Sequence, residues 1–111
     1  MTDSFAVYPS LRGRVVFITG GASGIGAAEV LHFAAQGAKV AFVDIAGDAA
    51  ALVVASAREA GHPEPLYQHC DLHDIPSLQA AIRRVGETLG PITVLVNNAA
   101  NDQRQDRKSV V

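Results

Sequence analysis

Short apolar runs alternate with longer amphipathic segments along the chain, which predicts alternating strands and helices. Four short segments predict strands: 14–19, 39–44, 66–70 and 92–97. Three longer segments predict helices: 24–36, 48–60 and 74–89. The first, second and fourth strands are apolar without alternation, which is typical of a parallel sheet covered by helices on both faces.

Residues at the predicted helix ends agree with these boundaries. Gly37 and Gly61 follow the first two helices, where a left-handed residue commonly ends a helix. Asp74 precedes the third helix as a capping residue, and Pro76 occupies its first turn. The first helix is expected to bury one apolar stripe: Ile25, Ala28, Leu31 and Ala35. The third helix is expected to bury another: Ile75, Leu78, Ala81, Ile82, Val85 and Leu89.

The order β-α-β-α-β-α-β predicts an α/β fold in which right-handed crossovers connect parallel strands in the spatial order 3-2-1-4. That is a Rossmann-like sheet with helices on both faces, truncated after the fourth strand. We expect one partial domain over residues 1–111, with a leader at 1–13, the β-α units at 14–100 and a polar tail at 101–111.

Composition narrows the classes of partner. The chain has 111 residues, 49% of them hydrophobic, with a net charge of -2 and a pI near 6.0. Scattered basic residues give no footprint for nucleic acid or an anionic membrane, so neither partner is expected. The single cysteine, Cys70, and the lack of an export signal or a long apolar run favour a cytoplasmic protein.

The segment 19–26, Thr-Gly-Gly-Ala-Ser-Gly-Ile-Gly, joins the first strand to the first helix and predicts a dinucleotide-binding turn. Glycines there permit a tight turn, close approach of the backbone to a pyrophosphate, and close packing of helix on strand. The absence of Gly-Lys-Ser/Thr disfavours a nucleoside triphosphatase. The residues of this turn expected to bind the cofactor are Gly20, Ala22, Ser23, Gly24, Ile25 and Gly26.

Acidic residues end the second and third predicted strands. Asp44 lies 18 residues beyond Gly26 and is expected to accept hydrogen bonds from an adenosine ribose, although aspartate also commonly begins loops. Its charge would repel the 2′-phosphate of NADP, and Ile45 offers no guanidinium, so NAD is favoured. Asp71 is expected to accept from the adenine amino group while Leu72 packs on the ring; the alternative is an ordinary turn residue.

The fourth strand ends in Asn97, Asn98, Ala99 and Ala100, beside the switch point where open α/β sheets bind ligands. Asn98, Ala99 and Ala100 are expected to line the cofactor site, because small residues leave room there. The alternative for Asn98 is a structural amide that ties neighbouring strand ends together.

His69, Cys70 and His73, with nearby aspartates, have metal-ligand chemistry, but their spacing matches no standard zinc pattern. Strand alternation would direct His69 and Cys70 to opposite sides. No metal site is predicted.

The glycine segment, Asp44, Asp71-Leu72 and the 97–100 motif together resemble the short-chain dehydrogenase/reductase family, classical subgroup, over about residues 11–100. The family motif normally ends in glycine where Ala100 stands. Within the family the chain is most similar to bacterial sugar dehydrogenases of the D-xylose type. The resemblance implies hydride transfer between a secondary alcohol or sugar and NAD, by a full-length enzyme that is a homo-oligomer.

The family's catalysis depends on a serine and a Tyr-x-x-x-Lys pair beyond the fourth strand. Here Tyr8 is followed four residues later by Arg12, and Tyr67 by Asp71, so no catalytic residue is assigned. We interpret the sequence as a fragment, inactive by itself. The alternative is a catalytically inactive nucleotide-binding or interaction module, against which an open edge at the fourth strand counts.

Overall fold

The computed structural model describes residues 11–98 and confirms the alternating order of strands and helices. The strands are β1 (Val15–Thr19), β2 (Lys39–Asp44), β3 (Leu66–His69) and β4 (Val94–Asn97). The helices are α1 (Gly24–Ala35), α2 (Gly47–Glu59) and α3 (Ile75–Thr88). Most of the predicted leader, the predicted cofactor residues Ala99 and Ala100, and the predicted tail lie outside the described residues.

The four strands form one parallel sheet in the order β3-β2-β1-β4, as the sequence predicted. In register, Val16 of β1 pairs with Val40 of β2 on one side and with Val94 of β4 on the other. Because all strands are parallel, their carboxyl ends meet at one edge of the sheet. That edge carries the predicted site.

Two apolar clusters lie on opposite faces of the sheet. On one face, α1 and α2 pack on β1 and β2 through Val16, Ile18, Val30, Phe42 and Val53, among others. On the other face, the buried Ala81 and Val85 of α3 join a cluster with Val15, Phe17, Ala41, Val43 and Cys70. The fully buried β1 matches its uninterrupted apolar sequence.

The predicted buried stripe of α1 is wrong at Ile25, Ala28 and Ala35, which are exposed, whereas Leu31 is half-buried and packs on the core. The buried residues are Gly26, Val30 and Ala34, whereas Ile25 keeps 69% of its surface exposed. The reason is the packing of the first turn of the helix. Gly26 lies directly against the carbonyl of Gly20, and this contact sets the rotation of the helix about its axis. Alanines on several faces of α1 had left that rotation ambiguous in the sequence.

In α3 and β4, some apolar side chains are exposed although the sequence pattern predicted burial. In α3, Ala81 and Val85 are buried as expected, but Ile75 and Ile82 are exposed. Leu95 of β4 keeps 65% of its surface exposed, so the described residues leave this side of β4 open. Among residues 11–98, no helix has the length and apolar character to span a membrane.

Asp74 caps α3 as predicted. Its carboxylate accepts the Ser77 backbone N–H at 3.2 Å and the Ser77 hydroxyl at 3.0 Å.

We expect Asp74→Ala to lower the free energy of unfolding by about 1 kcal/mol, the typical cost of losing a cap. Thermal unfolding followed by circular dichroism measures this. Asp48→Ala, which removes an acidic residue from the first turn of α2, is the control with a smaller expected shift; equal shifts would contradict the capping role.

Candidate cofactor-binding site

The predicted site residues that the structure describes gather at the carboxyl edge of the sheet. Thr19 at the end of β1 pairs with Val43 of β2 and with Asn97 of β4, while Asp44 pairs with His69 of β3. The order in which successive strands are added to the sheet reverses between β1 and β4, which is where open α/β sheets form a ligand crevice.

The glycine segment is hydrogen-bonded to the end of β2. The Gly20 N–H donates to the Val43 carbonyl at 2.8 Å, and the Gly21 N–H approaches the same oxygen at 3.4 Å. The Ala22 N–H then donates to the Asp44 carboxylate at 3.0 Å. The segment therefore crosses from β1 over the end of β2 before it enters α1.

The four glycines of this segment meet two kinds of steric requirement. Gly20 and Gly24 have positive φ angles of 74° and 59°, a region that side chains disfavour. A Cβ on Gly26 would lie 1.8 Å from the Gly20 carbonyl oxygen, and one on Gly21 would lie 2.8 Å from Phe42. The tight turn and the close helix packing that the sequence predicted are both present.

The start of α1 is suited to an anion. Its first turn contains no acidic side chain, and Ser23 at the N-cap makes no side-chain capping bond. The first N–H groups of a helix have no intrahelical partners, and the helix dipole is positive there. Ser23, Gly24 and Ile25 are exposed, so this end of the helix is open to a ligand.

Asp44 is half-buried and held from several directions. Its carboxylate oxygens accept the Ala22 N–H at 3.0 Å and the Ala46 N–H at 2.9 Å. The bond to Ala46 is of the kind that a loop-starting aspartate makes, so that alternative describes part of its geometry. Each carboxylate oxygen has capacity for a further hydrogen bond, which leaves room for ribose hydroxyls.

Asp71 is exposed and lies in a turn. It accepts the His73 N–H at 2.9 Å and contacts the His73 ring Nδ1 at 3.2 Å. The backbone hydrogen bond from His73, followed by the contact with its ring, lowers the pKa of Asp71. Leu72 is half-buried against the α3-side cluster. The contacts of Asp71 are therefore those expected of an ordinary turn residue. Its carboxylate stays accessible and ionised at neutral pH.

The two asparagines at the end of β4 connect it to different elements. Asn97 accepts the Thr19 hydroxyl at 2.7 Å, and the Asn98 N–H donates to the Thr19 carbonyl at 3.2 Å. The Asn98 side-chain amide donates to the Glu29 carboxylate of α1. The contacts of Asn98 thus match the alternative in which its amide has a structural role. The sequence pattern had not indicated Glu29 as its partner.

The histidine and cysteine residues near β3 do not converge. His69 is exposed, whereas Cys70 is buried and burial raises the pKa of its thiol. Within the part of the chain that the structure describes, no group of three histidine, cysteine or acidic side chains is placed to hold a metal ion.

Phe42, Tyr67 and Glu29 support the site but were not predicted to do so. Phe42 lies beneath Gly21, Tyr67 donates to the Asp44 carbonyl at 2.7 Å, and Glu29 holds Asn98. Each reads in the sequence as an ordinary strand or helix residue. Only the partner strands and helices, distant in sequence, reveal their contacts.

Comparison with known proteins identifies the family. The model of the short chain dehydrogenase family matches residues 14–110. A D-xylose 1-dehydrogenase of Caulobacter vibrioides is 48% identical over 103 residues, which are 91% of this chain and 39% of that protein. A probable galactose dehydrogenase of Rhizobium meliloti is 46% identical over 111 residues, 99% of this chain and 43% of that protein. The chain thus spans about two fifths of the length of these relatives.

Solved structures of a dehydrogenase and a ketoreductase are similar in fold to this chain. A hydroxysteroid dehydrogenase from Escherichia coli matches with a TM-score of 0.75 and 35% identity, over 79% of this chain and 37% of that one. An actinorhodin polyketide ketoreductase variant with NADPH matches with a TM-score of 0.72 and 32% identity, over 77% of this chain and 32% of that one.

Proposed function

The chain belongs to the short-chain dehydrogenase family, and we propose that it is the NAD-binding portion of an enzyme that transfers hydride between a secondary alcohol and NAD. The observation that carries the proposal is the joining of the glycine segment to Asp44 through the Ala22 N–H. This hydrogen bond holds the segment that we propose binds the pyrophosphate next to the carboxylate that we propose binds the ribose. We propose residues 1–111 as one partial cofactor-binding domain.

The described residues fit a dinucleotide. The cradle between Gly20 and Gly26 has no space for a Cβ at Gly26, and it opens onto the start of α1. In the proposal the backbone of residues 20–26 holds the pyrophosphate and Asp44 holds the adenosine ribose. We propose that Asp71 and Leu72 flank the adenine and that Asn98, Ala99 and Ala100 are further cofactor-binding residues, of which the last two lie outside the described residues. The bound cofactor would supply the hydride acceptor.

The choice of NAD over NADP depends on Asp44. A 2′-phosphate on the ribose would approach a carboxylate already fixed by two backbone N–H groups. The following residue, Ile45, is 64% exposed and offers no cation to pair with a phosphate. The matching ketoreductase structure contains NADPH, so the proposed preference for NAD depends on residues of this chain rather than on the fold.

We propose an aldose as the substrate class of the whole enzyme, because two relatives near 47% identity carry the names D-xylose 1-dehydrogenase and probable galactose dehydrogenase. The sequence resemblance implies a homo-oligomer, and the single cysteine and the lack of an export signal favour a cytoplasmic protein; both properties stay predictions.

The 111-residue chain contains no Tyr-x-x-x-Lys sequence, so we expect it to bind NAD without oxidising a sugar. Absorbance at 340 nm in the presence of NAD and D-xylose or D-galactose tests this, with no protein-dependent NADH formation expected. Calorimetric titration with NAD, on protein shown by circular dichroism to be folded, measures binding. Protein-dependent NADH formation would contradict the inactivity, and folded protein without NAD affinity would contradict the proposed function. A stable monomer with micromolar NAD affinity would favour the independent-module alternative.

A further inference from the structure

Tyr67 lies beneath the candidate ribose site rather than in it. From the middle of β3, its hydroxyl donates to the backbone carbonyl of Asp44 at 2.7 Å. The Cys70 N–H approaches the same carbonyl at 3.3 Å. The tyrosine therefore fixes the backbone of the residue whose carboxylate faces the ligand crevice.

The ring of Tyr67 also reaches the glycine segment through one intermediate. It packs on Phe42 with ring centroids 5.2 Å apart, and Phe42 is fully buried. Phe42 is also so close to Gly21 that a Cβ on Gly21 would lie 2.8 Å from the Phe42 ring. Tyr67 thus contacts both the main chain of Asp44 and Phe42, the residue that lies against the glycine segment.

We propose that Tyr67 is a positioning residue for adenosine ribose recognition, acting on Asp44 through its main chain. The inference rests on the proposed function, since it concerns the same site. The hydroxyl fixes the end of β2, and the Ala22 and Ala46 N–H groups hold the carboxylate where we propose that the ribose hydroxyls bind.

The state of the hydroxyl is consistent with this role. Burial, followed by the nearby charge of Asp44, raises the pKa of Tyr67, so the phenol stays protonated and donating throughout the neutral range. Loss of the hydroxyl leaves the Asp44 carbonyl within reach of the Cys70 N–H and leaves the ring on Phe42. Tyr67→Phe is therefore expected to fold and to alter the site locally.

The test compares two ligands that differ only in the ribose hydroxyls, ADP and its 2′,3′-dideoxy analogue, by calorimetric titration of the 111-residue chain. We expect Tyr67→Phe to weaken ADP binding about 3- to 10-fold, the effect of one ordinary hydrogen bond. Binding of the dideoxy analogue should change less than about 2-fold. In an Asp44→Ala background, Tyr67→Phe should have no further effect on ADP.

Each outcome is informative. Equal weakening of both ligands would show a general structural role, and unchanged ADP binding would show no role; either result overturns the inference while leaving the proposed function intact. A folded wild-type chain that binds neither ligand nor NAD would overturn the proposed function and the inference with it.

Discussion

Gly26→Ala is expected to abolish tight NAD binding and to destabilise the fold. The new Cβ would lie 1.8 Å from the Gly20 carbonyl oxygen, a backbone atom that no side-chain rotation can move. Either α1 or the glycine turn must shift, at a cost of about 1–3 kcal/mol for overpacking. The same shift would move the N–H groups that we propose bind the pyrophosphate. Loss of one hydrogen bond to a charged group weakens binding about 10- to 100-fold.

Gly86→Ala is the matched control. Gly86 is also a helical glycine, but it is exposed on α3 and nothing lies within 4 Å of an added Cβ. Alanine there should raise the free energy of unfolding by about 0.5–1 kcal/mol, because glycine is the poorer helix former. Chemical denaturation and NAD titration of both variants measure the contrast. If Gly26→Ala bound NAD like the wild-type chain, the close packing at the glycine turn would not matter to the site.

Asp44→Asn is expected to reduce both NAD affinity and the preference for NAD over NADP. The carboxylate accepts two backbone N–H groups, while an amide offers only one oxygen and presents a donor in place of the other. Losing a charged acceptor for the ribose costs about 1.5–3 kcal/mol, or roughly 10- to 100-fold in affinity. NADP should lose less, because the repulsion of its 2′-phosphate is relieved at the same time.

Asp48→Asn removes the same charge four residues later, from an exposed position in the first turn of α2. Its effect on either cofactor should stay below about 2-fold, the range of a screened surface charge. Calorimetric titrations with NAD and NADP give the ratio of affinities for each variant. An unchanged ratio in Asp44→Asn, or equal losses in the two variants, would remove Asp44 from cofactor selection.

Much of the fold could be predicted because its signals are local. Uninterrupted apolar runs marked the buried strands, Gly37 and Asp74 marked helix ends, and handedness rules then ordered the sheet. The position of Asp44 at a strand end was predictable for the same reason. Each of these features is recognised from residues that are close together in the sequence.

The contacts that shape the site are not local and could not be predicted in this way. The rotation of α1 follows from Gly26 meeting Gly20, whereas alanines spread around the helix gave no clear face. Tyr67 reaches Asp44 across 23 residues, and Asn98 reaches Glu29 across 69. Such pairs depend on strand register and helix rotation, which periodicity alone does not specify.

We expect this chain to bind NAD at the carboxyl edge of its sheet, through the glycine turn and Asp44. Amide nitrogen–proton correlation spectra of the isotopically labelled 111-residue chain, recorded during titration with NAD, test it most directly. We expect the largest shift changes at the amides of residues 20–26 and 44–46, with those of Arg83 and Arg84 on exposed positions of α3 unchanged. Well-dispersed spectra that do not respond to NAD, or changes centred away from this edge, would contradict the account.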